Sequence, residues 1–320
     1  MKDDAVQRVV GIDWSGRVDA AGQRRHIWAG VWTEGDGGRV SVRLEAGRTR
    51  AEVAEWLVEL ERETPRMVVG FDFCFGFPAW FVRDEHGSAS GPEFWERVER
   101  EGLAERWLAR GGVDARFWGK PHRRPTEFSG ERLHRMLRAT DIDCKLAALI
   151  PEAERAARVK GIAPKSVFQI GGAGSVGTAS LRGFAVLLRL REAGFRVWPF
   201  NVPGLSLQRP KPMVVEMYTR LMTGAVRKSS AEARAEYLAK KRRENEAYRA
   251  LSRAVMEKAR GSEDAFDALV SMMVMVERRG EFAALPKPRD PLHVWEGWTW
   301  APEMEGLCSD KSKEGRKQRG

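Results

Sequence analysis

The chain has 320 residues, 42% of them hydrophobic and 31% charged, which is enough to bury a substantial core and ordinary for a globular protein. Lys and Arg number 55 against 45 Asp and Glu, a net charge of +10 that favours a polyanionic partner such as nucleic acid over an acidic one. Three widely spaced cysteines, Cys74, Cys144 and Cys308, fit neither a disulfide framework nor a zinc pattern, and no apolar run is long enough to cross a bilayer, so a soluble protein of the reducing cytoplasm is expected.

In chain order, the charged start "MKDDAVQR" predicts no secretory signal, and residues 9–13 read as a strand. "RRHIWAGVW" and "GRVSVRLE" read as two more strands around the turn-rich "TEGDGG", which predicts an antiparallel meander. "TRAEVAEWLVELERE" then places Val53, Trp56, Leu57 and Leu60 at helical spacing behind a Thr49 cap. "RMVVGFDFCFGF" is apolar on both faces, as a central parallel strand should be. Helical pieces are expected near 93–106 and 131–138, within an insertion at about 91–165. A helix over 178–193, the strands "FRVWPF" and "MVVEMYT", a long charged helical region over 230–260 and a last apolar helix, "SEDAFDALVSMMVMVERR", complete the body. One domain is predicted over residues 1–305, followed by a basic, disordered tail over 306–320.

Two strands, "VVGID" and "VVGFD", end on a carboxylate, Asp13 and Asp72. Glu216 interrupts a third apolar run, and Asp264 and Asp267 lie three apart on nearly one face of the last helix. Each has a structural reading of its own: a turn residue, a partner for an arginine, or a first-turn acid favoured by the helix dipole. Several carboxylates converging on one sheet end would repel unless protonated or bridged by cations. Hard divalent ions, Mg²⁺ or Mn²⁺, are the simplest solution, and two of them about 3.5–4 Å apart would suit phosphodiester cleavage.

The order of these elements is similar to that of a ribonuclease H-like fold, and "DAFDALV" resembles the last-helix motif of RuvC-type Holliday-junction resolvases. Together "GIDWSG", "VVGFDFCFGFP", "QIGGAGSVG", "VWPFN", "VVEMYTR" and "DAFDALV" resemble the domain of unknown function 429 family, regarded as predicted ribonuclease H-like nucleases. The resemblance covers residues 9–276. It implies an α/β fold with a mixed sheet, an antiparallel meander joined to parallel strands, flanked by helices. It also implies a two-metal nuclease in which Asp13, Asp72, Asp264 and Asp267 bind metal, with Glu216 as a further acidic position. A first-helix glutamate like that of ribonuclease H proper has no counterpart; Glu52, Glu55 and Glu59 are ordinary exposed-face residues. Resolvase-like enzymes often work as dimers, so a homodimer is a further expectation.

"GGAGSVG" has the glycine spacing of a dinucleotide-binding loop, but the strand after it ends in Asn201 where a ribose-binding acid is needed. Gly174 and Ser175 remain candidates for holding a substrate phosphate at a helix start; the other reading is a tight turn into a packed helix. In "ARFWGKPHRRPTEF", Arg116, Lys120, Arg123 and Arg124 alternate with aromatic rings, a pattern that suits a nucleic-acid backbone and splayed bases, or a surface loop anchored by its rings. "AKKRRENEAYR" reads as a solvated helix face, and His122 and His134 lack metal-ligand spacing. Two alternatives stand beside the nuclease: a nucleotide-dependent kinase or ATPase of the actin and sugar-kinase type, and a non-catalytic nucleic-acid-binding protein.

Overall fold

The computed structural model describes residues 6–109, 114–119, 124–128, 136–140, 165–172, 175–200, 211–224, 226–288 and 290–302. Its centre is a mixed sheet. Strands β1 (Arg8–Asp13), β2 (Trp28–Glu34) and β3 (Val40–Glu45) form the expected meander, and β4 (Met67–Phe71) runs parallel to β1 on its other side. β6 (Met213–Met217) lies parallel to β4, and its far edge is shared by two short strands, β5 (Arg196–Val197) and β7 (Thr299–Trp300). The spatial order is therefore β3-β2-β1-β4-β6-β5.

Both faces of the sheet are covered, which is why its central strands read as continuous apolar runs. On one face Val10, Ile12, Val69, Phe71 and Val214 pack under helices α2 (Arg50–Glu63), α3 (Gly91–Arg100), α4 (Leu103–Leu108) and α5 (Gly177–Glu192). On the other, Val9, Val68, Val215 and Met217 pack with α9 (Arg253–Gly261) and α10 (Glu263–Glu277). The helices begin where their caps dictate. Thr49 and Glu52 form a reciprocal capping box at α2, and Ser262 accepts a hydrogen bond from the Ala265 amide at α10.

Four expectations change. "RRHIWAGVW" opens in a helix, α1 (Ala20–His26), because Asp19 accepts from the Gly22 amide at its start and Arg24, Arg25 and His26 suit its C-terminal dipole. The charged region 230–260 is three helices, α7 (Ala231–Glu244), α8 (Glu246–Arg249) and α9, because Asn245 and Ser252 each stop one helix or cap the next. "FRVWPF" contributes only two strand residues, and β7 carried no sequence signal at that length. The strand expected over "MVVEMYT" ends at Met217, a short helix, α6 (Thr219–Thr223), follows it, and a short α11 (His293–Glu296) precedes β7. The predicted helix over 131–138, most of the insertion and the tail at 306–320 lie outside the described residues.

Candidate metal centre

Pairing of β1 with β4 aligns Val9 with Val68 and Ile12 with Phe71, and the Asp72 amide donates to the Ile12 carbonyl at 3.1 Å. Asp13 and Asp72 are thus neighbours at the C-terminal ends of adjacent parallel strands. Side chains alternate along a strand, so Asp13 shares the face of Val9, and Asp72 the face of Val68. That is the face covered by α10. Glu216 has the parity of Val214 and falls on the opposite face.

The glycines of "VVGID" and "WAGVW" explain how α10 comes close enough. A Cβ on Gly11 would stand 2.8 Å from the Met272 amide nitrogen, and one on Gly30 would stand 2.9 Å from the Ala268 carbonyl. Only bare backbone at both positions lets the helix settle on β1 and β2. The first turn of α10 then lies at the ends of β1 and β4, and the charges of Asp264 and Asp267 both bear on Asp13. Of the four aspartates, Asp72 is oriented by Thr219, whose amide and hydroxyl donate to its two oxygens at 3.2 and 3.0 Å. Asp264 faces His26 Nδ1 at 2.8 Å.

Burial, and then the charges of Asp267, Asp72 and Asp264, push the Asp13 carboxyl well above the usual range. Burial likewise raises Asp72, against the opposing pull of Lys228 and Thr219. Burial lifts Asp267 to about 7 although Lys228 pairs with it. The Lys228 ammonium touches Asp267 Oδ2 and lies 3.9 Å from Glu263. Burial disfavours its charge, but Asp267, Asp72 and Asp13 outweigh that and hold it protonated above the ordinary lysine range. Sequence reading missed both Lys228, in "VRKSS", and His26, in "RRHIW"; each looks like one more surface basic residue in a chain with 55 lysines and arginines.

Glu216 does a different job. Its carboxylate is bracketed by both terminal nitrogens of Arg138 (2.8 and 2.5 Å), accepts from the Thr299 hydroxyl at 2.6 Å and from the Phe75 amide at 2.7 Å, and is 2% exposed. These bonds occupy its lone pairs and tie β6 to β7 and to the segment after β4. A pocket of about 170 Å³ lies between the two acidic neighbourhoods, lined by Trp14, Asp72, Phe73, Ser175, Glu216 and Tyr218 among others.

The proposed substrate contacts divide. Ser175 lines that pocket, as Asp72 does. Gly177, in the glycine-rich run, has a packing reason: its Cβ would stand 2.1 Å from the Val167 carbonyl, which favours the tight turn into a packed helix. Arg116 is engaged by Asp114 (2.8 and 2.6 Å) and by Glu85, and it covers the Phe81 ring at 4.8 Å. Phe117 and Trp118 are buried, so the rings of this loop anchor it to the body. Arg124 is described without a charge partner among the described residues, while Gly174, Lys120 and Arg123 lie outside them.

The four aspartates do not form a tight ligand set as they stand: among the described residues, no group of three or more His, Cys, Asp and Glu side chains is close enough to hold a metal ion. Lys228 pairs with Asp267, and its charge bears on Asp13 and Asp72. No family model, curated protein or solved structure matches the chain. Among the described residues, no helix is long and apolar enough to cross a membrane.

Proposed function

We propose that the protein is a ribonuclease H-like, divalent-metal-dependent nuclease that hydrolyses phosphodiester bonds of nucleic acid. The observation that carries this reading is the gathering of Asp13, Asp72, Asp264 and Asp267, from two adjacent strand ends and one helix start, into a single electrostatic neighbourhood. The meander-then-parallel order of the sheet and an apolar helix with an acidic first turn packed on its first strand support the fold assignment, and the net charge of +10 supports a nucleic-acid partner.

The donor set suits Mg²⁺ or Mn²⁺. Every candidate ligand is a carboxylate oxygen, the hard donor these ions prefer. Asp267 Oδ1 is buried without a hydrogen-bond partner, and among the described residues no hydrogen bond reaches the Asp13 carboxylate. Asp13, Asp72 and Asp267 would hold the metal, with Asp264 at the rim. Divalent ions there would supply charge stabilisation to the scissile phosphate and favour attack by water. Thr219 keeps both oxygens of Asp72 oriented, and His26 does the same for one oxygen of Asp264. Ser175, which lines the same pocket as Asp72, would contact a substrate oxygen.

The test is incubation of the purified protein with end-labelled duplex, single-stranded, branched and RNA substrates in Mg²⁺ or Mn²⁺, beside Asp72→Asn. Cleavage that needs the metal and falls by a factor of about 100 or more in a folded Asp72→Asn variant is expected. Cleavage undiminished in that variant, or absent on every substrate, would count against the reading.

A further inference from the structure

We infer that Lys228 is the built-in counter-cation of the acidic cluster, one that competes with divalent metal for Asp267 and must swing aside when metal binds. The inference rests on the metal reading above and concerns how that site is controlled. Three features of the structure carry it.

The first is charge. The charges of Asp13, Asp72 and Asp267 bear on one another, Asp267 is buried, and Lys228 pairs with Asp267 while its charge also acts on Asp13 and Asp72. One ammonium cannot satisfy three carboxylates, and it leaves the buried Asp267 Oδ1 without a partner. A doubly charged ion with several oxygen ligands answers that deficit better than a single ammonium does. Both cannot sit against the same Asp267 carboxylate without repelling each other.

The second is freedom to move. Lys228 lies in the connection between α6 and α7, outside any helix or strand. Its backbone is anchored, since its amide donates to the Val226 carbonyl at 2.9 Å and its carbonyl accepts from Arg234. Its side chain is a four-carbon stem with 26% exposure, so the head can leave without disturbing the chain.

The third is a destination. Asp267 is 3% exposed, whereas Glu263, one turn earlier on α10 and 3.9 Å from the same ammonium, is 44% exposed. Moving outward to Glu263 lets Lys228 keep a carboxylate partner while it vacates Asp267. A lysine suits this exchange because its charge is compact and its stem flexible; an arginine fork would bind the carboxylate in two places at once.

The experiment is a titration of the full-length protein with Mn²⁺, reading free Mn²⁺ by electron paramagnetic resonance, for wild type, Lys228→Met and Lys228→Arg. Thermal melts in EDTA and in Mn²⁺ accompany it. Lys228→Met is expected to bind Mn²⁺ about tenfold tighter or more, since removing the competitor is worth at least one weak buried ion pair. It should melt lower than wild type in EDTA and recover in Mn²⁺. Lys228→Arg should bind Mn²⁺ no tighter than wild type. Equal or weaker Mn²⁺ binding by Lys228→Met, with binding by wild type intact, overturns this inference and leaves the metal reading standing. A Lys228→Met protein that fails to fold even with Mn²⁺ present also overturns it, because the ion would then not replace the ammonium. No Mn²⁺ binding by any of the three proteins removes the metal reading and this inference together.

Discussion

Acidic side chains that look alike in the sequence have opposite fates here, and the difference lies in what each can bond. Glu216 meets Arg138, Thr299 and a backbone amide, so its charge is fully used in holding the structure together. Arg138 is 0% exposed and would lose both of its hydrogen bonds to that carboxylate, and the buried ion pair with them. Glu216→Gln is therefore expected to destabilise the protein by about 3–5 kcal/mol in urea unfolding, while leaving the affinity of the remaining protein for Mn²⁺ within about twofold. A large loss of Mn²⁺ affinity with little loss of stability would make Glu216 a metal ligand. Asp13 has the reverse profile: among the described residues no hydrogen bond reaches its carboxylate, three acidic side chains act on it, and burial pushes the carboxyl up.

Packing of α10 on the sheet decides whether those acids meet at all. The contact depends on Gly11 and Gly30, at which any side chain would collide with the backbone of the helix around Ala268 and Met272. Gly11→Ala should displace α10 and cost about 1–3 kcal/mol of stability, as overpacking of a close contact does. Because Asp267 rides on that helix, the same variant should also bind Mn²⁺ more weakly. Lost stability with unchanged Mn²⁺ affinity would mean that the first turn of α10 is positioned independently of its middle. The glycine of β1 thus has a role tied to its aspartate, since it admits the helix that brings the second pair of acids. Gly70 in β4 differs: a Cβ there would meet the side-chain sulfurs of Met275 and Met217, at 2.7 and 2.8 Å, which can shift.

The buried cluster also sets how the fold as a unit responds to pH. Burial raises the Asp267 carboxyl to about 7 in the folded protein, and raises Asp13 and Asp72 as well, against about 3.9 for an aspartate in the unfolded chain. Between those values the folded protein holds protons that the unfolded chain has released. Stability from these groups is therefore complete below about pH 4 and is lost as pH rises through about 7. In EDTA the melting temperature should fall between pH 5.5 and pH 8, and Asp13→Asn should melt at least about 2 °C higher than wild type at pH 8. Mn²⁺ should flatten the wild-type profile. A melting temperature that rises over this range in EDTA would mean that the cluster is ionised and well compensated at neutral pH.

Much of this arrangement is legible from the chain alone because the signals are local. Apolar runs of β-formers, the Thr49 cap, the apolar last helix and the twin "VVGxD" ends depend on neighbours in sequence, and the strands at 9–13 and 67–71 and the helices at 50–63 and 263–277 are found where that chemistry puts them. Even the separation of Glu216 from Asp13 and Asp72 follows from strand parity once the strands are aligned. The rest depends on contacts between segments 39 to 238 residues apart. That Arg138 claims Glu216, that His26 meets Asp264 over 238 positions and that Lys228 enters the acids are consequences of packing, which assigns each surface-looking basic residue its carboxylate. The sequence by itself determined which carboxylates end the strands and begin the last helix. Only the tertiary structure decided which of them are satisfied and which are left crowded, because burial and pairing exist only once distant segments exclude water together.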